Sequence, residues 1–393
     1  MLKVNTFDVA KPTQMNQNTI LNWDNTDYKE IYTRQLRDNP LYWNQDLDCW
    51  VTYAYEFCKT ILLNADAHVP APVGENDSLL NDKAKLMIRN LSRISNDQQH
   101  ADSRQAALII YQSMKPVSIS GLLENLLSDI ENIKEFDWVA TVCKKLPALV
   151  ILKELGFSDD ECAFVVDNIS FLVKIMSPNK TDSDITAINS VIDEFYVISE
   201  KYIKSYKFSA DHLAGINKEK AIELFVCNLL GLFIQCYDAG RGILTNTLLS
   251  FVHNHNSKLS ANESYFKRMV IETLRFDPPV HNTRRVPVKD IWIGGEQIKA
   301  GQSILVATAA ANLDASVFQE PGIYDPERNN NDQHLTFGIG AHNCLAKHLT
   351  INMASETCSF LTDNYRQIKI LPQELKYEPQ LNVRLIKELI INL

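Results

Sequence analysis

His334-Leu-Thr-Phe-Gly-Ile-Gly-Ala-His-Asn-Cys-Leu-Ala346 places one cysteine in a glycine-hinged loop that runs into a helical pattern. Gly338 and Gly340 let the backbone fold tightly and approach a flat cofactor. Amides at the start of the following helix can hydrogen-bond a sulfur in this position and hold it ionised, the form in which it ligates a metal. Phe337 is placed to pack beside that sulfur. A lone cysteine is more often a small buried hydrophobe, and it is the surrounding pattern that separates Cys344 from the other seven. Those seven, Cys49, Cys58, Cys143, Cys162, Cys227, Cys236 and Cys358, form no C-x-x-C pair with one another or with Cys344. A chain of this size with so few cysteines reads as reduced thiols in a cytosol, not as a disulfide framework.

Working outward, Glu272-Thr-Leu-Arg275 sets opposite charges three apart on one helix face, and Phe276-Asp-Pro-Pro279 ends that helix by proline chemistry. Tyr324-Asp-Pro-Glu-Arg328 lies between this helix and the cysteine loop. Upstream, Asp97-Gln-Gln-His100-Ala-Asp-Ser-Arg104 offers an imidazole and a guanidinium four apart, one turn of one face. Arg285 and His342 add two more groups of the kind that bind carboxylate anions. For each of these four taken alone, a surface salt bridge or a satisfied histidine is an equally good reading.

In this order and at these spacings the elements resemble the cytochrome P450 family. The resemblance covers nearly the whole chain and is weakest over the first 25 residues, Ala67 to Lys85, and Pro178 to Lys220. It implies a mainly α fold with small β-sheets (α+β), in which haem b (iron protoporphyrin IX) lies between a long central helix and the cysteine loop. It further implies Cys344 as the iron ligand, Phe337 packed against the iron and sulfur, and Arg328 locked onto the Glu272–Arg275 pair. His100, Arg104, Arg285 and His342 would hold the haem propionates. Ala346 stands where the family usually has glycine.

At 393 residues and 44.7 kDa the chain exceeds the usual single-domain size. The implied haem contacts run from His100 to Cys344, so one domain over residues 1–393 is expected. A net charge of −9 argues against nucleic acid or an anionic membrane as the main partner. The first residues carry no apolar core of signal-peptide length. The longest apolar stretch, Leu224 to Cys236, is broken by Asn228 and falls short of the ~20 residues a membrane span needs. A buried core helix, no membrane anchor and a cytoplasmic location are therefore expected.

Helical periodicity dominates residues 118 to 275. Strand signals are confined to Trp50–Tyr53, Ile291–Ile293, Ile298–Val306 and a last segment near Leu385–Leu393.

The central helix departs most from the family pattern, which commonly carries an acid followed by a threonine that steers protons to iron-bound dioxygen. Here the run is Gln235-Cys-Tyr-Asp238-Ala239-Gly240: the acid is present and the alcohol is not. Thr245 lies six residues on, about 9 Å of rise and well off the face. Asp238 can act as a proton relay or as an ordinary ion pair with Arg241 three residues on. Gln235 can bind substrate or satisfy freed backbone carbonyls. By family position Val280, His281, Asn282 and Thr283, with the Ala67–Lys85 loop, line the substrate pocket, and three consecutive polar residues point to a functionalised substrate.

The resemblance thus implies a monooxygenase acting on a small or carrier-presented metabolite in secondary-metabolite biosynthesis, fed by ferredoxin and ferredoxin reductase. Oxidative coupling, peroxide-driven oxidation and rearrangement stand as alternatives. So does a degenerate partner protein, against which Cys344 argues.

Overall fold

The computed structural model describes residues 28–70, 74–128, 135–177, 180–206, 208, 213, 215–254, 262–365 and 367–393. The first 25 residues, which match the family least, lie outside the described residues, as do residues 71–73 of the Ala67–Lys85 segment.

The apolar run from Leu224 is the middle of a 37-residue helix, α9 (Lys218–Asn254), buried on almost every side from Leu224 to Ile234. A helix that is apolar all round belongs in the interior. α9 is also the one helix among the described residues long and apolar enough to cross a membrane, and most of that window is buried inside the protein. Before it come α1 (Tyr28–Asp38), α2 (Tyr55–Leu63), α3 (Asp82–Asn90), α4 (Asp97–Ser113), α5 (Ile119–Ser128), α6 (Leu146–Leu155), α7 (Asp159–Leu172) and α8 (Asp182–Ser205). After it come α10 (Glu263–Phe276), α11 (Thr308–Ala311) and α12 (Lys347–Asn364). Helices α3, α4, α6, α7 and α8 pack on the N-terminal part of α9, and α10 and α12 pack on its C-terminal part and on each other.

The ends of α10 follow from its sequence. Asn262 Oδ1 accepts the amide of Tyr265 at 2.9 Å, satisfying a donor that the helix leaves free. Phe266, Met269, Val270, Thr273 and Leu274, spaced three and four apart, form its buried face. Asp277 leaves helical geometry just before Pro278.

Among the described residues, ten short strands flank this helical body. The largest sheet has the order β1 (Leu41–Asn44), β2 (Cys49–Thr52), β8 (Ile304–Val306), β5 (Thr283–Pro287), β3 (Ala67–His68); β2 and β8 run parallel and the other pairs antiparallel. β4 (Phe136–Asp137), β10 (Ile390–Asn392) and β9 (Lys369–Ile370) form a second sheet, and β6 (Ile291–Ile293) with β7 (Glu296–Ile298) form a hairpin. The strand signals over Ile298–Val306 belong to two strands, β7 and β8, divided at Gly301, whose φ of +83° makes the turn. The last segment is extended only over Ile390–Asn392, with an isolated bridge between Tyr377 and Ile386. β1, β3, β4 and β9 were not anticipated: most are too short to show alternation, and pairing with distant strands defines them.

Candidate active site around Cys344

The cysteine loop takes its shape from two left-handed glycines, Gly338 at φ +63° and Gly340 at φ +74°. A Cβ on Gly340 would stand 2.9 Å from the carbonyl oxygen of Leu62 at the end of α2. Glycine is therefore required there on two counts. The Cys344 amide donates to Phe337 O at 2.8 Å and closes the loop. Ala346 sits at φ −93°, a right-handed conformation that needs no glycine. Cys344 itself is largely enclosed. Burial pushes its thiol up, while the Ala346 amide and the charges of Arg104, Arg93 and Lys347 pull it down without overcoming the burial. The expected helix-start amide is thus present at Ala346, and burial is the larger effect. A bound cation is what would strip its proton.

Behind the loop lies a buried charge network. Glu272 and Arg275 are both completely buried and joined by two hydrogen bonds, at 2.9 and 2.6 Å. Arg275 spends its remaining donors on the carbonyls of Asn312, Pro321 and Ile323. Glu272 also accepts the amide of Asp325 at 3.0 Å. Arg328 Nε approaches Glu272 at 3.7 Å, beyond hydrogen-bond reach, and the rest of its guanidinium bonds the carbonyls of Gln319, Glu320 and Ile323. An ion pair removed from water in this way persists only because every donor is used. The pair clamps the meander from Asn312 to Arg328 that leads into the cysteine loop. Phe337 stacks at an angle on His334, with Lys347 over its ring.

Basic groups gather on the other side of the loop. His100 Nδ1 bonds Ser92 O at 2.7 Å, Nε2 bonds Ala341 O at 3.2 Å, and its ring lies 4.0 Å from that of His342. Arg104 donates to Asn343 Oδ1 at 2.8 Å. Among the described residues Arg285, 5% exposed, donates to Thr283 Oγ1 and Arg284 O alone, and burial pushes its guanidinium down to about 10. His342 is pushed down to about 3, by burial first and then by the charges of His100, Arg285, Arg104 and His68; its Nδ1 is buried without a hydrogen-bond partner.

Sequence reasoning missed Arg93. It lies in the short turn Ser92–Ile94 between α3 and α4, and its charge is felt by both Asp238 and Cys344. A guanidinium among the apolar neighbours Leu91 and Ile94 is the only signal the sequence carried.

On α9, Asp238 is deeply placed and its carboxyl is pushed up by burial, against the opposing charges of Arg241 and Arg93 and a hydrogen bond with Gln380. Arg241 Nε comes within 3.2 Å of Asp238 Oδ1, but the geometry makes no hydrogen bond, so the pair is held by charge alone. Arg241 also reaches Glu378 at 3.3 Å. Gln235 Nε2 turns back to Gly231 O of its own helix at 3.0 Å, the structural alternative. Ala239 is partly exposed, and Thr245 is buried with its hydroxyl on Arg241 O.

The expected polar pocket wall after Pro279 is mostly spent elsewhere. His281 is fully buried with Nδ1 3.0 Å from the Tyr32 hydroxyl, and Asn282 donates to Leu381 O. Thr283 accepts from Arg285, and only Val280 is a partly exposed apolar surface. The inference of a functionalised substrate from these three polar residues is withdrawn, because satisfying buried backbone and side-chain partners accounts for them.

The sequence pattern of the family described as Cytochrome P450 matches residues 248–373. Cytochrome P450 119 of Sulfurisphaera tokodaii is 27% identical over 363 residues, covering 87% of this chain and 94% of that protein. The chain belongs to the cytochrome P450 family. The biotin biosynthesis cytochrome P450 of Bacillus subtilis is 24% identical over 86% of this chain and 89% of its own length. Among solved structures, P450BioI in complex with hexadec-9Z-enoic acid ligated acyl carrier protein superposes with a TM-score of 0.78, at 21% identity, over 93% of this chain and 98% of that one.

As a P450, the protein is an oxidoreductase of the monooxygenase class that uses haem b with a cysteine thiolate, and dioxygen as co-substrate. Its residues suit that group. Among the described residues, neither Arg104 nor Arg285 has a carboxylate partner, and the His342 nitrogen lacks an acceptor. Two propionates beside this basic set would satisfy all three.

Proposed function

We propose that Cys344 is the axial thiolate, that His100, Arg104, Arg285 and His342 hold the propionates, and that this P450 oxygenates a small or carrier-presented metabolite in a biosynthetic route. One observation carries the reading: a thiol in a doubly left-handed loop, backed by the fully buried Glu272–Arg275 pair and faced by basic groups that lack carboxylates. Bound haem supplies oxygen activation, which the electron-rich sulfur favours. The chain's own groups bind, orient and handle protons. His100 joins α4 to the cysteine loop through Ala341 O, so widely separated parts of the chain form one catalytic unit within residues 1–393. Asp238, kept off the helix surface and bracketed by Arg241 and Arg93, is the group on α9 able to hold or pass a proton at a carboxyl oxygen.

A groove lined by Tyr55, Lys59, Asp332, Phe337, Cys344 and Lys347 carries two lysines against one carboxylate. That edge suits an acidic electron donor of the ferredoxin kind, supplied by a reductase. The acyl carrier complex of the structurally similar P450BioI supports a carrier-presented substrate.

The test is spectroscopic. Reduced protein under carbon monoxide should give the red-shifted band of thiolate ligation, and an unchanged haem spectrum in Cys344→Ser would remove the assignment. A second reading, oxidative coupling, peroxide-driven oxidation or rearrangement, is favoured by Ala239 together with the inward-turned Thr245 hydroxyl. The ratio of product to reduced cofactor consumed separates the two. A large rise in that ratio for Ala239→Thr would mean that the native site lacks a relay it needs for oxygenation.

A further inference from the structure

Between Leu224 and Leu248 every residue of α9 is buried except Gln235, Cys236, Asp238 and Ala239. Spaced three and four apart, these four form one open window on the helix, and Asp238 is its carboxyl group. Just beyond the window α9 is packed without slack. A Cβ on Gly240 would stand 2.6 Å from Pro147 Cβ of α6, and one on Gly242 would stand 2.4 Å from Pro279 Cβ and 2.7 Å from Leu385 Cδ2. Only residues without side chains let these neighbours come so close. The contact with Leu385 brings the C-terminal segment to Arg241, which sits between the two glycines. Glu378 donates its amide to Leu385 O at 2.8 Å, next to the bridge between Tyr377 and Ile386, and its Oε1 accepts from Arg241 Nη1 at 3.3 Å.

Arg241 is thus shared. Its side chain is 5% exposed and lies over the Tyr237 ring, with Asp238 on one side and Glu378 on the other, 22% and 25% exposed. The two contacts are unequal. Glu378 has a hydrogen bond, whereas Arg241 Nε lies 3.2 Å from Asp238 Oδ1 in a direction that makes none. A guanidinium closed on a carboxylate through aligned bonds holds it ionised. One diverted to a second carboxylate leaves the first short of compensation, and the second negative charge adds to the effect. Burial acts on Asp238 in the same direction. The other polar and titratable groups facing it are Arg93 of the turn before α4, Gln380 beside Glu378, and Tyr237 and Cys236 of α9.

We propose that Glu378 is a positioning residue for proton handling at this site: by holding the Arg241 guanidinium it keeps Asp238 out of a closed ion pair and free to take up and release a proton. The proposal rests on the reading of Asp238 as the proton-holding group of α9, and it adds the residue that sets that group's state.

The experiment uses the haem-loaded full chain and two readouts. The first is an infrared pH titration of the Asp238 carboxyl, its protonated band assigned as the one missing from Asp238→Asn. In Glu378→Gln the guanidinium is free to close on Asp238, so the midpoint should fall by about 1–2 pH units; in Glu378→Asp, which keeps the charge, it should fall by less. The second is oxygen uptake against pH, with electrons supplied by a ferredoxin and its reductase. The alkaline limb, where Asp238 gives up its proton, should move down by the same interval in Glu378→Gln, with haem content and the carbon monoxide band at wild-type levels. An infrared midpoint that stays or rises in Glu378→Gln overturns the proposal. So does a loss of rate that is equal at every pH, which is what a purely structural role would give, and so does loss of haem from that variant. A wild-type pH profile in Asp238→Asn would sink the proton-holding reading of Asp238 and the proposal with it. Absence of the thiolate band in wild type would instead sink the haem-thiolate reading, while the infrared midpoint still decides the role of Glu378.

Discussion

The two sides of the Cys344 site are built on opposite principles. Behind the loop the Glu272–Arg275 network uses its polar groups in full: both residues are completely buried, doubly bonded to each other and tied to four backbone groups of the meander. On the α9 side the polar groups are left under-used. The Asp238–Arg241 contact lacks a hydrogen bond and the hydroxyl position is an alanine. A saturated network fixes geometry, whereas unsatisfied groups facing a cavity are available to a ligand. The Glu272–Arg275 network is therefore scaffold, and the α9 side is the one with polar groups to spare.

The sharpest way to break this contrast is at the saturated network. Arg275→Leu leaves Glu272 charged and buried with the Asp325 amide and the more distant Arg328 guanidinium as its remaining neighbours among the described residues, so stability should fall by about 3–5 kcal/mol, measured as a shift in the urea midpoint. A loss below 1 kcal/mol would mean the network is not what holds the meander.

His281 tests where the boundary between the two sides runs, since its sequence position suggests the pocket and its structure places it in the framework. Burial pushes its imidazole down to about 3 from the ordinary 6.5. The unfolded chain therefore binds this proton first. The contribution is fully present above pH 6.5 and is lost as pH falls from there toward 3, at about 1.4 kcal/mol per pH unit. His281→Gln should flatten the decline in stability between pH 6.5 and 5 by roughly 2 kcal/mol in all. An unchanged pH slope would place the imidazole in water, on the pocket side.

Replacing Arg285 and His342 together by Ala should raise the haem dissociation rate roughly tenfold or more, through lost charge-assisted hydrogen bonds, followed by transfer of haem to an acceptor protein. Unaltered retention would show that the basic set serves another purpose. The smallest effect is expected at Ala346→Gly. With φ already −93° the change relieves no strain and adds only chain entropy, so stability should drop by less than about 1 kcal/mol, read by thermal midpoint.

Much of the scaffold was legible because its chemistry is local. The spacing Phe337, Gly338, Gly340, Cys344 encodes a tight loop whose two glycines do adopt left-handed geometry, and Glu272-x-x-Arg275 puts two charges on one face of a helix ended by prolines. The apolar run from Leu224 reads as an interior helix, and the missing alcohol at Ala239 is visible as a single letter. What tertiary structure alone decided depends on partners far away in the chain. His281 was drawn into the framework by Tyr32, 249 residues earlier. Burial, a property of the whole molecule, outweighed the helix-start amides at Cys344 and raised its thiol. Arg241 acquired its meaning only when the C-terminal segment brought Glu378, 137 residues on, to its guanidinium, because the worth of a charge depends on what surrounds it, and no short stretch of sequence records that.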